Sequence, residues 1–361
     1  MKAQVEPLRV GIAGANAARG WARDAHVPAL ARLAHYTLTA VSARTQAIAE
    51  EARTAFNAGR AYDDSLALAR APDLDVVVVA VKVPEHRAIV MAALEAGKHV
   101  YCEWPLGRDL AETQEMAAAV RPGQRVMIGL QALSAPAVRH AAQLVRDGAI
   151  GQLKVLRVCS PTAGWGAMAP RHYAYLQDKR NGATLETIAG GHTLAAMETI
   201  AGSFTEVDAR CSTLMKSIRI QDSDECVARS SADHMLILGL HDSGCVSTLE
   251  VIGGEAARPF SLELIGDRGW LKITGGRPGG YQVGNLELHT SGPDRPAPPL
   301  VLPELSHSPG GFLAEAYTRF ATAIRTGNES VPDFAAAVRL TRLLACIDLA
   351  ASSGVRQHLG S

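Results

Sequence analysis

The chain has 361 residues, enough for two domains, and 47% of them are hydrophobic, so it can bury a sizeable core and wholesale disorder is excluded. Lys plus Arg and Asp plus Glu number 36 each, which leaves no net electrostatic pull toward nucleic acid or an anionic membrane. No apolar run approaches the ~20 residues of a membrane span.

The opening MKAQVEPLRVGIAG lacks an apolar signal segment. The six cysteines (Cys102, Cys159, Cys211, Cys226, Cys245 and Cys346) are scattered, with no CxxC pair and no metal-ligand spacing. The expectation is a cytoplasmic protein with reduced thiols and no metal site.

The first third alternates strands with helical patterns. Strands are predicted at residues 8–14, 36–43, 73–82, 98–103 and 124–130, and helices at 20–33, 45–57, 85–96 and 110–119. The continuous valine run in DLDVVVVAVK suits a strand covered on both faces. Strand and helix in alternation predict a parallel, doubly wound sheet. After about residue 129 the pattern changes. A helix with a glycine stop (134–151) leads into longer alternating strands at 152–160, 205–215, 233–242, 244–253, 260–275 and 286–290. Turn signals such as Asp242-Ser243-Gly244 separate several of them. A proline-rich loop (291–304) and two helices (311–326 and 334–351) close the chain. The fold class is therefore α/β: an N-terminal Rossmann dinucleotide-binding domain (1–129) and a C-terminal α/β domain (130–361) with a large, mostly antiparallel open sheet.

The first strand runs into GIAGANAARGW. A dinucleotide fingerprint, GxGxxG, uses glycine for the tight turn, for close approach of a pyrophosphate and for helix packing. Gly14 supplies the first glycine, Asn16 stands at the second, and the third falls on Arg19 unless a longer turn uses Gly20. Asn tolerates the left-handed conformation better than most residues, so the turn survives the exchange. The second strand ends AVSARTQ with no acid between Tyr36 and Ile48 to accept a ribose 2′-hydroxyl. Ser42 and Arg44 stand there instead and suit a 2′-phosphate, which favours NADP(H) over NAD(H) without excluding the latter.

The blocks EHRAIVMAALEAGKHVYCEWPL and RNGATLETIAGGH and the closing GFLAEAYTRF…LLACID resemble the Gfo/Idh/MocA family nearly end to end. The resemblance implies hydride transfer at a sugar, cyclitol or related hydroxyl, a carbohydrate-like substrate, and a homo-oligomer (dimer or tetramer) formed through the open sheet. It also implies cofactor contacts at Trp21, Val81, His86, Glu103, Trp104 and Gln131. Three positions depart from the family pattern. Its EKP is Glu103-Trp104-Pro105 here, so the lysine is missing. The aspartate expected four residues before His192 is Ile188, with Thr187 beside it. Val81-Lys82-Val83 replaces part of the TPNxxH segment, while His86 remains. The EWP variant is similar to the branch that includes the yeast galactose-pathway repressor, which implies a second possibility, a non-catalytic dinucleotide-binding regulator.

Oxidation of an alcohol needs a base within hydrogen-bond reach of the hydroxyl. His192 is the candidate, because imidazole titrates near neutrality. Lys82, at the C-terminal end of a central strand, is the candidate substitute for the missing lysine. Trp104 can wall the pocket and stack on a ring. Trp165, Arg171 and Tyr173, in a loop of the second domain, are expected substrate contacts with Trp104 and His192.

Overall fold

The computed structural model describes residues 6–276, 278–290, 310–328 and 331–360. It divides into two compact units, residues 1–130 with 303–338 and residues 131–302 with 339–361. The helix Gly310–Thr326 groups with the first unit although the second precedes it in sequence.

In the first unit, β1 (Leu8–Ala13), β2 (Tyr36–Ser42), β3 (Arg60–Tyr62), β4 (Val76–Val79), β5 (His99–Glu103) and β6 (Val126–Gly129) form one sheet in the order β3-β2-β1-β4-β5-β6. Every pairing is parallel. All four valines of β4 are fully buried, as a strand covered on both faces requires. The strand order reverses between β1 and β4, and that switch point is where doubly wound sheets bind ligands, beyond the carboxyl ends of the strands. Three of the helices begin where a side chain satisfies a free N–H. Thr45 accepts from Ile48, Asp64 from Leu66 and Asp109 from Glu112. The helix Gly310–Thr326 carries Leu313, Tyr317 and Phe320 into the same core as Val10, Ile12 and Tyr101.

Two expectations change here. The helix expected over 20–33 is a π-helical turn, Ala22–His26, followed by a short α-helix, Val27–Leu30. The strand Arg60–Tyr62 and the helix Ser65–Arg70 were not expected. Three and six residues are too short to show a period.

In the second unit the strands are β7 (Leu153–Thr162), β8 (Met168–Ala169), β9 (Phe204–Ser212), β10 (Ser217–Ile220), β11 (Cys226–Ala228), β12 (His234–His241), β13 (Val246–Gly253), β14 (Phe260–Gly266), β15 (Trp270–Gly275), β16 (Leu286–Thr290) and β17 (Gln357–His358). The large sheet runs β16-β15-β14-β7-β13-β12-β9-β17. Its neighbours are antiparallel apart from the parallel pair β7 and β13. Its inner face carries Leu156, Met235, Ile237, Leu249, Leu262 and Ile273, all buried. Its outer face carries Leu236 and Leu238, 42% and 56% exposed, among Arg157, Asp208, Arg210, Glu250 and Glu263. A small sheet, β11-β10-β8, was not expected. The helix Gly191–Ala201, nearly all buried, follows a second π-helical turn, Glu186–Gly190. The proline-rich loop expected at 291–304 lies outside the described residues. All six cysteines are unpaired. Among the described residues no helix is long and apolar enough to cross a membrane.

Candidate functional site

The turn after β1 has the geometry of a phosphate-approach loop. Gly14 has φ +95°, and a Cβ there would lie 2.7 Å from the Ala80 carbonyl oxygen, so only glycine lets the turn pass the end of β4. The N–H groups of Gly14 and Ala15 donate to the Ser42 carbonyl, which ties the turn to the end of β2. Asn16 is not left-handed. Its Oδ1 accepts from the N–H groups of Ala18 and Arg19 at 2.9 and 3.1 Å and braces the loop from within. Gly20, at φ +98°, has open space before it. Arg19 is exposed, and the buried Trp21 Nε1 has no hydrogen-bond partner in the protein. Ser42 is buried and shares a hydrogen bond with Ser65 at 2.8 Å, while Arg44 is exposed. A tight glycine turn at the switch point, an orphaned indole N–H and an exposed arginine beyond β2 fit a dinucleotide.

The loops after β4 and β5 are braced by one residue. His86 is fully buried, with Nε2 3.1 Å from the Val81 carbonyl and Nδ1 3.0 and 3.2 Å from the carbonyls of Pro105 and Leu106. Burial pushes its pKa below the ordinary value, against the pull of those carbonyls. His86 thus fixes the backbone on either side of Glu103-Trp104-Pro105. Trp104 is 6% exposed, and Lys82 is exposed at the start of the helix Val83–Glu95.

Beneath Glu103 lies a group that sequence reasoning missed. His26, fully buried, ends the first π-helical turn. Its Nδ1 is 2.6 Å from the Tyr317 hydroxyl and its Nε2 is 3.1 Å from Glu103 Oε1. That second contact lies off the hydrogen-bond line, so both atoms lack a hydrogen-bond partner. Tyr101 and Tyr317 meet the imidazole edge-on, and burial raises both phenols well above their ordinary range. The only hint in the sequence is a lone histidine in the apolar stretch AHVPAL.

In the second unit His192 lies one residue into the helix that follows the second π-helical turn. π-bulges recur at functional sites. The residue is 4% exposed, its Nδ1 is buried without a partner, and burial pushes its pKa down to about 3. Its carbonyl accepts from the Tyr281 hydroxyl at 2.5 Å, and Tyr281 stacks on Phe260. Thr187 donates to the Gly182 carbonyl at 2.7 Å and closes its own turn. Gln131 is buried, with Oε1 unpartnered. Trp165 is 8% exposed at φ +59°, with Nε1 unpartnered. Its strained backbone is held by Arg229, another residue not anticipated. That buried guanidinium donates to the carbonyls of Trp165 and Gly166 at 2.8 and 2.6 Å and to Gln177, and pairs with Asp233 at 3.1 Å. Asp233 also accepts from the N–H groups of Leu214 and Met215. Arg171 pairs with Glu225 at the surface, and Tyr173 is 46% exposed against His172.

Residues 8–130 match the oxidoreductase family with an NAD-binding Rossmann fold, Gfo/Idh/MocA, and residues 136–275 match the C-terminal domain of Gal80p. The chain joins a Gfo/Idh/MocA Rossmann domain to a Gal80-like domain. The dehydrogenase aclE of Aspergillus oryzae is 37% identical over 193 residues, a match spanning about half of either protein (52% of each). The galactose/lactose metabolism regulatory protein GAL80 of Saccharomyces cerevisiae is 28% identical over 308 residues, which cover 79% of this chain and 71% of that protein. Levoglucosan dehydrogenase, solved with NADH and L-sorbose, shares the fold with a TM-score of 0.85 at 22% identity, covering 98% of this chain and 99% of that one. Dehydrogenases and regulators thus both occur among the relatives of this chain.

Proposed function

We propose that the protein is a nicotinamide-dinucleotide-dependent oxidoreductase acting on a hydroxyl or carbonyl of a sugar- or polyol-like substrate. The observation that carries this reading is His192, a buried imidazole with an unpartnered ring nitrogen. Such an atom is costly unless a ligand completes it. When bound, the dinucleotide supplies the hydride acceptor or donor. Gly14 and the turn to Gly20 hold its pyrophosphate, Glu103 receives hydroxyls at the end of β5, and Trp104 walls the pocket in place of a lysine. Trp165, with Arg171 and Tyr173, contacts the substrate. Arg44 favours a 2′-phosphate, so NADP(H) is preferred. Lys82 is the alternative proton-handling group.

At neutral pH His192 is uncharged and accepts the substrate hydroxyl at Nδ1. A pKa near 3 makes full protonation at pH 7 cost about 5 kcal/mol in the resting protein. The imidazole therefore orients the hydroxyl first. It takes the proton only as loss of hydride from the carbinol carbon makes the hydroxyl acidic enough to protonate it, leaving the carbonyl. A second reading, a dinucleotide-binding regulator without turnover, is favoured by the Gal80-like match over residues 136–275. Titration with NADH and NADPH, followed by a panel of sugars, cyclitols and hydroxy acids with both oxidised cofactors, separates the two. Binding with turnover supports the enzyme, and binding without turnover supports the regulator.

The outer face of the large sheet, with Leu236 and Leu238 exposed between charged residues, supports a homo-oligomer built through that face. The unpaired cysteines accord with a reducing, cytoplasmic location.

A further inference from the structure

We propose that His26 is a positioning residue of the dinucleotide site, holding the Glu103 carboxylate where it meets the half of the ligand remote from the adenosine. The inference rests on the dinucleotide reading above. Glu103 is the last residue of β5, at the carboxyl edge of the parallel sheet, and its side chain is 15% exposed. Two features flank its carboxylate. On one side is Gly129, its partner in β6: a Cβ there would lie 2.8 Å from Oε1 and 2.9 Å from Oε2, so the carboxylate lies over a glycine because nothing larger fits. On the other side is His26 Nε2, 3.1 Å from Oε1.

His26 is itself immobilised. It is fully buried, its Nδ1 meets the Tyr317 hydroxyl at 2.6 Å, and Tyr101 and Tyr317 flank its ring. Tyr317 in turn accepts, through its carbonyl, a hydrogen bond from the Tyr36 hydroxyl at 2.8 Å. A chain of buried groups thus runs from the core to one carboxylate at the ligand edge. His26 Nε2 and Glu103 Oε1 are close but misaligned, so neither completes a hydrogen bond. Buried polar atoms are rarely left so. A modest rotation of the carboxylate aligns Oε1 with the imidazole and presents Oε2 to a ligand hydroxyl.

The strand order says which ligand half is affected. β2, whose end reads the adenosine ribose in folds of this kind, lies on one side of the switch point, and β5 lies on the other. Glu103 therefore meets the second nucleotide half, and ADP serves as a probe that lacks that half.

The test is calorimetric or fluorescence titration of the full chain with NADH, NADPH and ADP. His26→Gln, Glu103→Gln and Gly129→Ala are each compared with wild type. Gly129→Ala displaces the carboxylate without touching the imidazole. Each variant is expected to weaken the better-bound reduced dinucleotide about ten-fold, the loss of one charge-assisted hydrogen bond, and to leave ADP within about two-fold. His26→Gln combined with Glu103→Gln is expected to be no weaker than either alone, because the two act as one unit. Unchanged dinucleotide affinity in His26→Gln overturns the proposal. So does an equal loss for ADP, which marks a merely structural histidine, or additive losses in the double variant. If His26→Gln does not fold, Gly129→Ala decides: full dinucleotide affinity with the carboxylate displaced overturns the proposal. A wild type that binds neither NADH nor NADPH removes the dinucleotide reading itself, and this inference falls with it.

Discussion

The state of His192 makes a quantitative prediction. Burial pushes its imidazole down to about 3, whereas an unfolded histidine titrates near 6.5. Between those values the unfolded chain binds a proton that the folded chain does not. The folded state therefore loses stability as pH falls from about 6.5 toward 3, at about 1.4 kcal/mol per pH unit, and the contribution is complete above about 6.5. At about pH 4.5, two units below the unfolded value, the deficit is roughly 2.7 kcal/mol. Replacing the imidazole by a non-titrating amide, His192→Asn, removes that dependence, whatever it costs at neutral pH. The assay is urea unfolding of both proteins at about pH 7 and about pH 4.5. The comparison is the loss in wild type minus the loss in the variant. Burial depresses His86, His99 and His241 in the same direction, and they are common to both proteins, so they cancel. Wild type is expected to lose about 2–3 kcal/mol more than the variant on acidification. Equal losses would refute the buried, neutral imidazole on which the proposed mechanism rests.

Three further outcomes are expected. Arg44→Ala should weaken NADPH by roughly 10- to 100-fold in direct titration and leave NADH nearly unchanged. Equal effects on both cofactors would contradict the 2′-phosphate assignment. Arg229→Met strands the Asp233 carboxylate and frees the Trp165 turn, so chemical denaturation should show a loss of about 3–5 kcal/mol, much of it recovered by adding Asp233→Asn. A loss below about 1 kcal/mol, the scale of a surface pair, would mean that Arg229 does not hold the loop. Leu238→Lys, on the outer face of the large sheet, should lower the mass seen in light scattering to that of a monomer. A wild type already monomeric at micromolar concentration would rule out assembly through that face.

The fold was legible where an apolar run is continuous. The unbroken apolar runs of β4 and β12 stand out without any period, and the structure has a strand within each expected range, Val76–Val79 and His234–His241. Most of the misses were short, although the 11-residue helix Gly191–Ala201 was missed as well. β3 and the helix Ser65–Arg70 depend on parallel pairing with β2 and on the Asp64 cap, neither of which leaves a periodic trace. The first helix was misread in kind, because the spacing of GWARDAHVPAL does not distinguish a π-helical turn from an α-helical one.

In the candidate site, residues tied to a turn or a motif were visible: Gly14, His86, Glu103 and His192. Residues that act from distant segments were not. His26 meets Glu103 and Tyr317 across 77 and 291 positions, and Arg229 meets Trp165 across 64. Such contacts are set by the topology, so nothing near either residue in the sequence announces them. Asn16 shows the same limit at shorter range. It was read as a left-handed stand-in for glycine, yet its side chain braces the turn instead.

The central claim is that the protein turns over its dinucleotide. The most direct measurement follows reduced-nicotinamide absorbance while purified protein is incubated with NADP⁺ or NAD⁺ and a panel of sugars, cyclitols and hydroxy acids, beside a His192→Ala variant. The account predicts reduction with at least one sugar- or polyol-like substrate, and a turnover lower by about 10²- to 10⁴-fold in the variant with dinucleotide affinity retained. Tight dinucleotide binding with no reduction across the panel would contradict it and assign the protein to the regulators.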